Sequence, residues 1–198
     1  DTDTRRIAPH QPVYPAKRRR LAALQTLDAG SRKGPQFARE KIPALDAVFA
    51  ALGPAQEIFI EVKSRETDAV LAELSKLISP PANSGFPTAR TVVMSFEEKL
   101  VRKIKKLRPT WRVLLLLNHK PTPHVFGQIS SMIRAKYIDG IGQNRAWALT
   151  DEQYAELRKA GAILSVWTVD DPREAAAWRE RGFQYLTSNN PERMKDEG

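Results

Sequence analysis

Trp111-Arg112-Val113-Leu114-Leu115-Leu116-Leu117-Asn118 is the stretch on which the fold turns. Its centre, Val113 to Leu117, is apolar at every position instead of every second one. A strand with one face in water alternates apolar and polar residues. A strand apolar throughout is buried on both faces, as in a parallel sheet with helices packed on it.

On both sides of this run, from about residue 41 onward, strand and helix patterns alternate. Further strands are expected at Glu57–Lys63, Thr91–Ser95, Tyr137–Gly142, Ala162–Val169 and Tyr185–Ser188. Helical stripes recur three and four residues apart: Ile42, Leu45, Val48, Phe49, Leu52; then Val70, Leu71, Leu74, Leu77; then Leu100, Val101, Ile104, Leu107. Ser95-Phe96-Glu97-Glu98 and Thr150-Asp151-Glu152-Gln153 fit capping boxes, in which a hydroxyl and a residue three positions on satisfy each other's backbone donors. Asp171-Pro172 places a cap before a proline at the first helical position, and Gly161 and Gly182 stand where helices should stop. The pattern amounts to six βα-type repeats, an α/β arrangement that fits a doubly wound sheet or a (β/α) barrel. Periodicity does not separate the two.

With 198 residues, 41% of them hydrophobic, the chain can bury one domain core. No apolar run approaches the roughly 18 residues of a membrane span. The absence of cysteine excludes disulfides and thiolate metal sites and fits a reducing compartment such as the cytoplasm. Thirty-two basic against 23 acidic residues leave a formal charge of +9, which suits phosphate-bearing partners: nucleic acid, anionic lipid headgroups or phosphodiesters. The positives gather at Lys17-Arg18-Arg19-Arg20 and from Lys99 to Arg112.

Four segments, taken together and in order, resemble the glycerophosphodiester phosphodiesterase family. Leu27-Asp28-Ala29-Gly30-Ser31, with Phe37 and Ile42-Pro43-Ala44-Leu45 after it, is similar to the family's L-D-A-G-S loop and I-P-T-L helix start. Ile60-Glu61-Val62-Lys63 resembles its E-I-K strand end, and Met94-Ser95-Phe96 its S-F pair. Val166-Trp167-Thr168-Val169 resembles W-T-V-N, with Thr187-Ser188-Asn189-Asn190-Pro191 near a terminal T-D-x-P. Each segment alone is weak; the ordered set spans nearly the whole chain.

The resemblance implies a TIM-type (β/α) barrel with about six of its eight strands present and the first two missing. On that reading, residues 1–40 are the family's insertion or loop region after the second strand, and residues 41–198 are barrel repeats three to eight of one domain. Family members open on an H-R-G strand, an E-x-D pair and an H-D dipeptide, an opening this chain does not have. Asp1 to Arg6 resembles the segment directly after that last histidine, Asp1 standing as the aspartate of H-D. The catalytic histidines and two of three metal carboxylates are then absent, and any export signal would precede Asp1. Little turnover by the chain alone is expected, and an N-terminal complement or oligomer is expected to cover two open sheet edges.

The chemistry implied is hydrolysis of glycerophosphodiesters to glycerol 3-phosphate and an alcohol. A hard cation, Ca²⁺ or Mg²⁺, neutralises the phosphate. Two histidines serve as base and acid, and the substrate's neighbouring hydroxyl attacks phosphorus. By the resemblance, Glu61 is a metal carboxylate, Lys63 a phosphate contact on the same side of the strand, and Trp167 a wall of the substrate pocket. A Glu–Lys pair with a purely structural role and an ordinary core tryptophan are the plain alternatives. Ser95 is either a phosphate contact or a helix cap, and Phe96 either pocket wall or core.

Three histidines are present, none at a family position: His10, then His119 and His124 in a proline-bearing segment after the Leu-rich strand, expected to be a loop on the catalytic face. The Lys99–Arg112 stretch reads as an outer barrel helix with Leu100, Ile104 and Leu107 inward and Lys99, Arg102, Lys103 and Lys106 in solvent or against anionic lipid. A non-catalytic barrel remnant that binds phosphate groups or a partner is the second reading. A nucleic-acid binder rests on charge alone, because the basic runs lack interleaved aromatics and any binding motif.

Overall fold

The structure, a computed structural model, describes residues 3–5, 13, 15–63, 67–79 and 86–194. His10, Asp1 and Arg6 lie outside the described residues. The chain divides into two compact units, residues 1–56 and 57–198.

The first unit holds two short helices, α1 (Leu21–Leu24) and α2 (Leu45–Ala51), joined by a tight loop. The stripe of Leu45, Val48 and Phe49 is half-buried along α2. Asp28 knots the loop. Its Oδ1 accepts from the Gly30 and Ser31 amides at 3.0 and 2.8 Å, and its Oδ2 from the Ser31 hydroxyl and the Arg39 amide at 2.7 and 2.8 Å. Donors aimed at the charged form, led by Ser31, hold the Asp28 carboxyl far below the ordinary aspartate range.

In the second unit the strands are β1 (Ile58–Glu61), the two-residue β2 (Ile78–Ser79) and β3 (Phe86–Pro87), then β4 (Thr91–Ser95), β5 (Arg112–Leu117), β6 (Gly140–Asn144), β7 (Ile163–Trp167) and β8 (Tyr185–Thr187). The helices between them are α3 (Thr67–Leu77), α4 (Glu98–Leu107), α5 (Pro123–Arg134), α6 (Asp151–Lys159) and α7 (Pro172–Glu180). Six strands form one all-parallel sheet in the order β1-β4-β5-β6-β7-β8, while β2 and β3 pair separately. Every crossover carries a helix, and the sheet curls into a half-barrel. Its outer face, including Val93, Val113, Leu115, Ile141, Leu164 and Val166, is buried. So are Ile104 of α4, Ile133 of α5, Tyr154 of α6 and Trp178 of α7, the helices that flank it. Both faces of β5 are thereby covered, as its unbroken apolar run requires.

The curl is visible in side chains. Phe59 of β1 and Tyr185 of β8, from the two edge strands, meet edge to face with centroids 4.7 Å apart. Beneath them Arg112 donates from Nη1 to the Tyr185 hydroxyl at 3.2 Å. Its Nη2 lies 2.7 Å from Glu57 Oε1 in an ion pair. Burial pushes the Glu57 carboxyl up, but the Tyr185 hydroxyl and the Arg112 guanidinium outweigh it and leave it below the usual range. The N-terminal end of the lumen is therefore a plug that ties edge to edge.

Four expectations need correction. The fourth strand begins at Gly140, not Tyr137, whose ring is 52% exposed beneath the Arg102 guanidinium at 5.2 Å. Leu107 is 45% exposed instead of inward; it sits at the last turn of α4, and Lys105 takes the buried position. Lys105 Nζ donates to the Trp111 carbonyl and to both oxygens of Asp139, each at 2.8 Å, which is what makes its burial tolerable. Ser95 caps no helix: α4 starts at Glu98 with Glu97 as its N-cap. Finally, His124 lies in α5, since Thr122 caps the helix and Pro123 opens it. The Thr150–Gln153 capping box and the Asp171 cap are present as expected, and Gly161 and Gly182 end their helices at φ +74° and +86°.

Candidate active site at the strand ends

In parallel sheets of this kind ligands meet the C-terminal ends of the strands. The register identifies the inner face there. Glu61 pairs with Met94, Met94 with Leu114, Leu116 with Gly142, and Asn144 with Trp167. Residues two apart share a face, so Glu57, Phe59, Glu61 and Lys63 all turn inward on β1 and its extension.

Glu61 and Lys63 form a close ion pair at the mouth through Oε2 and Nζ. The other carboxylate oxygen, Glu61 Oε1, is buried without a hydrogen-bond partner. An ionised oxygen in that position is costly unless something positive reaches it. This orphaned atom is the strongest sign of a ligand site in the second unit.

Phe96 and Trp167 come together across the mouth, ring planes at 90° and centroids 5.7 Å apart, from the ends of β4 and β7. The indole lies over β6, its Nε1 donating to the Gly142 carbonyl at 3.2 Å. β6 carries no side chain there. A Cβ on Gly142 would stand 2.7 Å from Leu116 Cδ2 and 3.9 Å from Trp167 Cδ1. Trp167 is half-buried and Phe96 is 44% exposed, so together they make a wall with one wet side.

Ser95 does not join them. It falls on the opposite face of β4, 1% exposed. Its hydroxyl donates to the Val62 carbonyl at 2.7 Å and accepts from the Glu97 amide at 3.2 Å. That bond fastens the end of β1 to β4, directly between Glu61 and Lys63. Ser95 thus supports the ion pair from behind and has no proton left for a phosphate.

Two features went unread in the sequence. Asp170, just past β7, accepts from the Ser188 hydroxyl at 2.8 Å, the Asn189 amide at 2.7 Å and the Asn189 side-chain nitrogen at 3.0 Å. These bonds, the Asn189 side chain first, hold its carboxyl below the usual range and tie the β7 and β8 loops at the rim. The Asp-Asp dipeptide offered a signal, but only Asp171 was recognisable as a cap. Trp147, in a single 3-10 turn after β6, is 47% exposed on the same rim. His119 is exposed in the loop after β5.

The family is in general dependent on a divalent metal. The residues present fit such an ion only in part. Glu61 offers one hard, unpartnered oxygen, whereas Ca²⁺ or Mg²⁺ takes six or more oxygens, some of them water. Among the described residues no three His, Cys, Asp or Glu converge. One donor is not a metal site.

The fold and mouth define a parallel (β/α) half-barrel with a carboxylate, an ammonium and an aromatic wall at its strand ends. The sequence pattern of the glycerophosphoryl diester phosphodiesterase family matches residues 1–193. The chain belongs to that family. It is 25% identical over 187 residues to a glycerophosphodiester phosphodiesterase of Bacillus subtilis (strain 168), covering 87% of this chain and 62% of that protein. Over 176 residues it is 26% identical to a glycerophosphodiester phosphodiesterase of Caldanaerobacter subterraneus subsp. tengcongensis, covering 88% of this chain and 69% of that one. Among solved structures, an Oleispira antarctica phosphodiesterase in complex with the product sn-glycerol-3-phosphate superposes with a TM-score of 0.79 at 19% identity, over 98% of this chain and 75% of that one. At that identity the likeness establishes the fold. The expected TIM-type barrel architecture holds, as a curled six-stranded half-barrel.

Proposed function

We propose that the chain provides the substrate-binding half of a phosphoric diester hydrolase, one that converts a glycerophosphodiester and water to glycerol 3-phosphate and an alcohol. The observation that carries this reading is Glu61, paired to Lys63 through one oxygen and holding the other buried and unpartnered. Lys63 places a cation where a non-bridging phosphate oxygen can lie. Trp167 and Phe96 offer apolar surface to the glycerol carbons. Glu61 orients Lys63 through their ion pair. Cleavage also needs one group to take the proton of the attacking hydroxyl and another to protonate the departing alkoxide. None of the chain's three histidines stands in a segment that resembles the family's catalytic ones, so little turnover by the purified chain is expected. The product held by the Oleispira antarctica neighbour supports the substrate class.

Titration calorimetry with sn-glycerol 3-phosphate in the presence of Mg²⁺ or Ca²⁺ tests the binding roles. Weak binding is expected, lost in Glu61→Gln and reduced at least tenfold in Lys63→Met. Equal affinity in all three proteins removes Glu61 and Lys63 from the site. Steady hydrolysis of glycerophosphocholine by the 198-residue chain overturns the statement about turnover.

A further inference from the structure

The rim around the mouth carries exposed groups beyond those the proposed hydrolysis uses, Trp147 and Lys120 among them. In the sheet, β4, β5 and β6 are neighbours, and all run the same way, so the loops at their C-terminal ends lie side by side. The β4 loop presents Phe96, 44% exposed; the β6 loop presents Trp147, 47% exposed. Between them the β5 loop presents Asn118, His119 and Lys120, all exposed. Lys63 opens on the same end beyond β1. Singly exposed apolar side chains are ordinary, but two exposed aromatic rings on either side of a lysine-bearing loop, at one end of the sheet, make a patch.

An aromatic ring with a basic neighbour suits the boundary between headgroups and acyl chains: the ring sits at headgroup depth while the cation meets anionic lipid. We infer that this rim seats on an anionic lipid surface, with Trp147 and Phe96 entering the interface and Lys120 meeting the headgroup charge. The formal charge of +9 draws the chain toward such a surface, while the aromatic pair determines which end faces it. So oriented, the Glu61–Lys63 mouth opens onto the lipid, and a diester carrying an apolar chain reaches it without crossing water. The sequence leaves the basic face of α4 in solvent or against anionic lipid, and the rim is the better-equipped seat. On α4, Arg102 and Lys103 are engaged with Glu98 and Asp68, and that helix presents no exposed aromatic ring.

The test is co-sedimentation of the full chain with vesicles of phosphatidylcholine alone and with 30 mol% phosphatidylglycerol, read together with tryptophan emission. Trp111 and Trp178 are buried, so a blue shift on binding reports Trp147 and Trp167. Expected are binding to the anionic vesicles, a blue shift, and an affinity about tenfold weaker in Trp147→Ala, the order of one interfacial aromatic side chain. Lys120→Glu weakens binding further at low salt. Trp147→Phe retains binding and loses most of the shift, which separates insertion from misfolding. Two results overturn the inference: no binding to anionic vesicles at low salt; or unchanged affinity in Trp147→Ala, in which case loss of binding in Arg18→Glu/Arg20→Glu shifts the contact to the first unit. None of these readouts depends on turnover, so failure of the hydrolase reading and failure of this one are distinguishable.

Discussion

The rings of Phe59 and Tyr185 touch at 4.7 Å although four strands separate theirs in the sheet. No hydrogen-bonded pairing joins β1 to β8. What brings the edges together is this contact and the Glu57–Arg112–Tyr185 chain below it. Closure of the lumen floor is carried by side chains, where a complete barrel would use backbone.

A double-mutant cycle on Phe59→Ala and Tyr185→Ala measures that closure. Edge-to-face pairs contribute about 1 kcal/mol beyond the area they bury. Urea unfolding of the four proteins should give a coupling of that order. A coupling near zero means that the edges stand apart in solution.

Asp28 makes the stability of the first unit depend on pH in a defined direction. Its carboxyl is held well below the ordinary aspartate value by Ser31 and Arg39 donors. A depressed folded-state value means the contribution is fully present above the unfolded range, near pH 4, and fades as pH falls through the folded value. Protection of the Ser31 and Arg39 amides, taken as the exchange rate relative to unstructured chain at the same pH, should fall as pH drops below about 4. In Asp28→Asn that loss of protection should already be present at pH 7, since one amide oxygen replaces two carboxylate oxygens. Slow exchange at pH 7 in that variant removes Asp28 as the knot of the loop.

Lys105 and Asp139 pair in the second unit with side chains 10% and 20% exposed. Lys105→Met leaves a carboxylate with the Val113 amide at 2.8 Å as its remaining donor. The expected cost is about 3 kcal/mol, or a fall of roughly 10 °C in Tm for a chain of this size. Lys105→Met/Asp139→Leu should recover only part of the loss, because the Val113 amide then has no acceptor. Full recovery sinks the claim that Asp139 serves that amide.

Much of this fold is legible in the order of residues, and the exceptions have physical causes. β4 and β5 are readable because β-branched and aliphatic runs have few other uses. The Thr150 box and the Asp171-Pro172 start are local chemistry written in consecutive residues. β6 was misplaced because Gly-Ile-Gly-Gln-Asn has no strand propensity of its own. A Cβ at Gly140 would lie 1.9 Å from the Ile163 carbonyl oxygen, a demand set by β7 some twenty residues later. Ser95 misled because a serine three residues before a glutamate is a cap only where the chain turns helical at once. Here two more residues intervene, and the hydroxyl finds Val62. Glu61, Lys63, Phe96 and Trp167 are candidates through their resemblance to family motifs, and the structure pairs Glu61 with Lys63 and Phe96 with Trp167. Asp170 and Trp147 belong to no quoted motif, and their surroundings are assembled by strands distant in sequence.

The Trp167 indole donates to the Gly142 carbonyl, a bond to backbone that no side chain at 142 would remove. A Cβ there would stand at ordinary contact distance, 3.9 Å, from the indole and at 2.7 Å from the Leu116 Cδ2 methyl. Position 142 therefore answers to Leu116 before it answers to the tryptophan. An alanine at 142 turns one leucine methyl aside and leaves the wall of the mouth standing, so the tolerance of this corner is set from the strand behind it.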